Sequence, residues 1–218
     1  MIIDSEKNYF TMPTLTSVKI MNMIKRCLDI NFYLDTNRIN ARQNIKELNI
    51  LEGLNWRGAI KLKMPLPAQN EAMQGDNKRR IEKACSNWAP IPFCETEDEK
   101  QMWVKIRDIV FPDYSGNENE KTDIDILFTV WKYHAIFITR DGESKRQPGG
   151  ILGARNALDS LSIKVMTEIE ALDFVKKKLK ERDKLAIRRA EIMNSEIPSW
   201  VEEDLKYIEQ ADIGCIDC

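Results

Sequence analysis

Two aspartates close short apolar runs. Phe32-Tyr33-Leu34 ends on Asp35, and Ala135-Ile136-Phe137-Ile138 leads through Thr139-Arg140 to Asp141. A third acid, Asp123, has Ile126, Leu127 and Val130 as its helical neighbours, so it borders a buried side. An unpaired carboxylate there is costly and asks for a partner, and a metal ion is one candidate. Hard cations such as Mg²⁺ and Mn²⁺ take oxygen ligands, usually one or two carboxylates with waters and phosphates. Three or four carboxylates around one or two such ions could activate water for in-line attack on a phosphodiester. Arg140, with Lys145 and Arg146 in the loop that follows, would then hold the substrate backbone.

Each acid also has a purely structural reading. Asp35 is a good N-cap for a helix starting near Arg38, and capping and metal binding coexist at a strand-to-helix turn. Glu71 falls in the first turn of a short helix starting at Gln69, where the helix dipole favours an acid. Thr122 and Asp125 stand in the relation of a capping box, which gives Asp125 a local role. Residues two apart do not share a helix face, so Asp123 is the one of the pair expected to point into a site.

The elements that must position these acids alternate between two periodicities. Helical spacing marks Thr14 to Cys27, Ala41 to Leu54, Glu95 to Phe111, Thr122 onward, and the stretch from Thr167, where Thr167 and Glu170 form a second capping box. Strands are expected at Phe32–Leu34, at Ala59–Met64, where Lys61 and Lys63 alternate with apolar residues, at Ala135–Ile138, and at Ile163–Met166. Ala135–Ile138 is apolar without interruption, as for a strand covered on both faces in a parallel sheet. Helix, strand, acid, repeated, predicts an α/β fold with a mostly parallel central sheet, and ligands in such sheets sit beyond the carboxyl ends of the strands. A short helix over Ile151–Leu158 follows the loop at Gly149-Gly150.

Composition removes several classes. With 43% hydrophobic and 31% charged residues, the chain is an ordinary globular protein able to bury a real core. A net charge of -2 is not that of a generally basic nucleic-acid binder, so any such partner must be met by a patch. No apolar run approaches the ~18 residues of a membrane span, and the charged start Asp4-Ser5-Glu6-Lys7 does not look like a signal peptide. Five scattered cysteines suggest a reducing compartment, hence the cytoplasm. Cys215 and Cys218 have metal-ligand spacing but no second pair to close a zinc site. Asp35-Thr36-Asn37 lacks the second acid expected of an aspartyl phosphotransferase, and Gly149–Gly153 lacks the ending of a phosphate-binding loop. From Lys176 to Arg189 eight basic residues face Glu181 and Asp183, and an acidic tail follows. The two blocks are expected to pair as a helical hairpin, or the basic one to touch a polyanion.

The pattern resembles the PIN-domain family of metal-dependent nucleases over roughly residues 31–175. The resemblance is carried by Phe32-Tyr33-Leu34-Asp35-Thr36-Asn37, by Gln69-Asn70-Glu71-Ala72, by Asp123 through Phe137-Ile138-Thr139-Arg140-Asp141, and by Ile163-Lys164-Val165-Met166-Thr167 with Glu170-Ala171-Leu172. It implies a three-layer α/β/α domain at 31–175, with an N-terminal extension carrying a helix at 1–30 and a charged helical C-terminal extension at 176–218. It implies an acidic pocket of Asp35, Glu71, Asp123 and Asp141 holding Mg²⁺ or Mn²⁺, and single-stranded RNA as substrate. Asn37 and Thr139 join Arg140, Lys145 and Arg146 on the substrate side. The expected activity is that of an endoribonuclease, a hydrolase. The alternative is an inactive PIN-like module that binds RNA or protein. A homodimer and an antitoxin-like or other protein partner stay open. The chain is longer at both ends than the toxins of the family, which weakens the toxin reading and leaves the nuclease reading intact.

Overall fold

Four short strands form one parallel sheet in the order β2-β1-β3-β4: β1 Asn31–Leu34, β2 Lys61–Lys63, β3 Ile136–Ile138 and β4 Lys164–Met166. The computed structural model describes residues 25–39, 44–74, 76–86, 94–142 and 149–212. Nine α-helices lie among them: α1 Lys46–Trp56, α2 Leu66–Met73, α3 Lys78–Ser86, α4 Glu97–Val110, α5 Glu118–Lys132, α6 Gly150–Gly153, α7 Arg155–Ser160, α8 Glu168–Met193 and α9 Glu203–Asp212. None is long and apolar enough to cross a membrane.

The register explains why the strand ends matter. Phe32 pairs with Ile136, Tyr33 with Phe137 and Leu34 with Ile138, while Ile138 pairs with Met166. Two further backbone bonds carry the ladder past the strands, Asp35 N to Ile138 O at 3.0 Å and Thr139 N to Met166 O at 3.0 Å. Asp35 and Thr139 are thereby fixed at the carboxyl edge as rigidly as the strands themselves. All three residues of β3 are buried, as an apolar strand inside a parallel sheet must be. Helices cover both faces, α1 packing with α8 and α9, and α5 with α2 and α4. Phe32, Leu51, Leu54, Leu127, Val130, Phe137, Leu172 and Val175 are among the side chains that fill the layers between. The α/β class with a parallel sheet is thus as expected, and the layering is consistent with α/β/α.

Several element boundaries differ from the sequence reading. The helix carrying Asp123 begins four residues earlier than Thr122, because Asn117 accepts the Glu120 N–H and caps it. Thr122 instead donates to Glu118 O, and the capping box with Asp125 does not form. The helix carrying Glu71 starts at Leu66 with Pro65 as N-cap, so Glu71 lies beyond its first turn and the dipole argument does not apply to it. Pro67 sits in the first turn of that helix, where its missing N–H loses nothing. The single helix expected over Ile151–Leu158 is two short ones, α6 and α7. Lys25 to Ile30 is not helical, and the rest of the helix expected from Thr14 lies outside the described residues. The stretch Ala41–Gln43 lies outside them as well, and α1 starts at Lys46. The capping box at Thr167 and Glu170 forms as read. The helix it opens runs 26 residues without a break through the basic block, and the acidic α9 packs back on it.

Candidate functional site

The carboxyl ends of β1 and β3 present Asp35 and Asp141 side by side, joined by one hydroxyl. Thr139 Oγ1 donates to Asp35 Oδ2 at 2.5 Å and accepts from Asp141 N at 2.9 Å. Asn37 Nδ2 reaches the same hydroxyl at 3.4 Å. Asp35 stands at the start of a 3-10 turn, Thr36–Arg38, but its side chain makes no cap bond, so the capping role is not used. The residue is only 7% exposed. Ile151 N donates to Asp141 Oδ2 at 2.7 Å. Gly150 makes that approach possible, since a Cβ there would fall 2.5 Å from Asp141 Oδ2, and its φ of +35 also disfavours a side chain.

Glu71 arrives from α2. Its Oε2 lies 2.7 Å from Thr36 Oγ1, on the residue next to Asp35, and the same hydroxyl lies 3.1 Å from Ala68 O. Asp123 arrives from α5. Asp125, two residues on, is occupied elsewhere, accepting from Trp103 Nε1 at 2.7 Å. A cleft of about 400 Å³ opens beside Asp123, lined by Phe111, Asn117, Glu118, Asn119 and Glu120.

Electrostatics ties the four acids together. Burial pushes the Asp123 carboxyl up to about 8, and the charges of Asp35, Asp141, Glu71 and Glu120 push in the same direction. Burial likewise raises Asp35 to about 6; the Thr139 hydrogen bond opposes the rise, and Glu71 and Asp141 add to it. The structure therefore brings Asp35, Glu71, Asp123 and Asp141 within reach of one another's charge. It groups them by charge rather than by coordination. Among the described residues, no three or more His, Cys, Asp or Glu side chains stand close enough together to hold a metal ion. Asp35, Asp141 and Glu71 are each turned toward a local donor, Thr139, Ile151 N and Thr36 respectively. The donor set is all carboxylate oxygen, which fits a hard cation in kind.

The substrate-side candidates are placed differently from one another. Asn37 and Thr139 belong to the Asp35 network. Arg140 is not extended alone toward solvent, since its Nη2 lies 2.5 Å from Glu168 Oε1, although the side chain remains 39% exposed. Lys145 and Arg146 lie outside the described residues, as do Cys215 and Cys218. Sequence reasoning missed Thr36, Arg38 and Glu168. Glu168 could have been found by the rule that singled out Asp35 and Asp141, because Val165-Met166-Thr167-Glu168 is again a strand followed by an acid. Comparison of the chain with protein-family models and with curated protein sequences finds no match.

Proposed function

We propose that this chain is a Mg²⁺- or Mn²⁺-dependent endoribonuclease of the PIN-like type, cutting phosphodiester bonds of single-stranded RNA. The observation that carries the reading is the Asp123 carboxyl, driven to about 8 by burial and by three acids that reach it from β1, β3 and α2. Crowding like charges destabilises a fold unless a cation offsets them, so such clusters mark sites of function.

In this reading Asp35, Glu71, Asp123 and Asp141 supply oxygen ligands. A bound divalent ion supplies the charge that lowers the pKa of a coordinated water and offsets that of the phosphate. Thr139 holds one oxygen of Asp35 by a hydrogen bond. Ile151 N does the same for Asp141. The cytoplasm suits the free thiols of Cys27, Cys85 and Cys94.

One observation favours a second reading, an inactive module on the same scaffold that binds RNA or a protein: the acids are not gathered into a closed coordination set. Labelled unstructured and structured RNA, incubated with and without Mn²⁺, separates the two. The nuclease reading expects internal cuts in unstructured RNA only with Mn²⁺, and a loss of about 100-fold or more in Asp141→Asn, the scale of effect seen when charge stabilisation at the reacting centre is removed. RNA that stays intact, or cuts that survive Asp141→Asn, would leave the binding module.

A further inference from the structure

Beside the acid cluster stands a cation that pairs with none of its acids. Glu71 is the exposed member of the four, with Asp35 buried and Asp123 and Asp141 half-buried. Next to it, Thr36 touches two helices. Its hydroxyl lies 2.7 Å from Glu71 Oε2 on α2, and its carbonyl oxygen accepts from Arg80 Nη2 on α3 at 3.5 Å. α3 is fixed there by Gln69 Nε2 donating to Ala84 O at 3.2 Å and by the Lys83–Glu52 pair at 2.7 Å. Asn77 Oδ1 accepts the Arg80 N–H at 3.2 Å, so the Arg80 backbone is held in the first turn. The guanidinium is held far less well. Among the described residues, the long bond to Thr36 O is its one hydrogen bond, no carboxylate pairs with it, and its Nε is buried without a partner. Arg38 and Arg140, at the same edge of the sheet, differ: both engage Glu168 Oε1, at 3.6 and 2.5 Å.

A buried donor left unsatisfied costs about 1–3 kcal/mol. Position adds to that cost. Lys78, Arg79 and Arg80 are three consecutive cations in the first turn of α3, with no acid among them. The helix dipole favours acids there, by about 0.3–1 kcal/mol each. Stability therefore gives no reason for an arginine at this position, and the pose it holds is easily left. Two phosphate oxygens match the guanidinium fork and would satisfy Nε and an Nη together. We infer that Arg80 swings from Thr36 O onto a phosphodiester of the strand that enters the acids past Glu71. Because Arg80 pairs with none of the four acids, that phosphate lies beside the one to be cut. The identity of the strand as single-stranded RNA rests on the nuclease reading. Arg80 binds substrate and takes no part in the chemistry.

The test uses a short fluorescent unstructured RNA and its anisotropy on the full chain in EDTA, which removes divalent ions and cleavage from the readout. Titrations at salt between about 50 and 200 mM give the slope of log affinity against log salt. Arg80→Gln should weaken binding several-fold and lessen that slope by about 0.7, one phosphate contact on a single strand. Arg80→Lys should keep the slope and lose affinity, since it retains the charge without the fork. That variant also carries the test if Arg80→Gln does not fold. Arg79→Gln makes the same change of charge one residue away and should leave affinity and slope close to those of the wild type. With Mn²⁺, Arg80→Gln should raise KM for the same RNA several-fold at unchanged kcat, as the loss of uniform binding does. Arg80 variants that melt like the wild type and bind with its affinity and slope overturn the contact. So do an equal effect from Arg79→Gln, a kcat that falls at unchanged KM, and RNA that the wild type does not bind in EDTA. A lessened slope in a protein that never cleaves RNA upholds the contact and overturns only the nuclease reading. Cleavage by the wild type with an unlessened slope in Arg80→Gln does the reverse.

Discussion

Among the described residues, two places bury aspartates, and they treat them in opposite ways. At the carboxyl edge of the sheet, Asp35 and Asp123 sit among other acids, and burial and like charge raise both carboxyls. Where α9 docks against α1 and α8, Asp204 is fully buried among three arginines: Arg26 Nη2 at 2.8 Å, Arg182 Nη1 at 3.1 Å and Arg57 Nε at 3.2 Å. Burial there again favours the neutral form, but the hydrogen bonds from Arg26, Arg182 and Arg57 outweigh it and hold Asp204 below its ordinary value. Asp183 completes this second cluster, accepting from Arg182 Nε at 2.8 Å and from Glu202 N at 2.9 Å. One cluster is closed on itself and stabilises the fold. The other is left with surplus charge, as a site that awaits a cation would be.

The comparison breaks most readily at Asp204. Asp204→Ala removes the buried carboxylate that three guanidiniums share, and it should destabilise the protein by about 3 kcal/mol or more in urea denaturation. Next comes the opposite substitution. Asp35→Asn removes a carboxylate whose charged form the fold disfavours, so at pH 8 in EDTA it should stabilise the protein by about 1–2 kcal/mol. A loss of stability of similar size would mean that Asp35 is structural.

The pH dependence sharpens the same contrast. A carboxyl raised in the folded state binds more protons there than in the unfolded chain. For Asp123, stability is therefore greatest below its ordinary 3.8 and falls as pH rises toward about 8; for Asp35 the fall ends near 6. Asp204 has the reverse sign: its contribution is present above 3.8 and is lost as pH drops through its lowered value. In EDTA the wild type should lose stability between pH 5 and about 8, and Asp123→Asn should flatten that decline. A profile that rises over that range in the wild type would show that the acid cluster is already neutralised by something else. The smallest expected effect is at Gly53, which packs directly beneath the Tyr207 ring of α9. Gly53→Ala should loosen that docking and destabilise by about 1 kcal/mol, read by urea denaturation.

The parts of this architecture that were legible in the sequence are those set by local rules. The Thr167–Glu170 box and the uninterrupted apolar run of β3 specify their elements within a few residues, and Asp35 and Asp141 stand out because they follow strands. Helix starts were harder. α2 starts at Leu66 and Asn117 caps α5, whereas the sequence reading starts them at Gln69 and Thr122. Only the first helix start sets where Glu71 lies along its helix. The pairing of the basic and acidic blocks was legible, and Arg182 with Asp204 is one of its contacts, but the arrival of Arg26 at Asp204 was not, because the two are 178 residues apart. Arg38, Arg140 and Glu168 meet only because the strand order sets β1, β3 and β4 side by side.

Binding of Mn²⁺ to the wild type and to Asp123→Asn, followed by the loss of the free-ion electron paramagnetic resonance signal, tests the central claim most directly. The account predicts that the wild type takes up Mn²⁺ at pH 7.5 and releases protons as it does so, and that Asp123→Asn binds at least 10-fold more weakly. Equal uptake by the two proteins, or none by either, would contradict it.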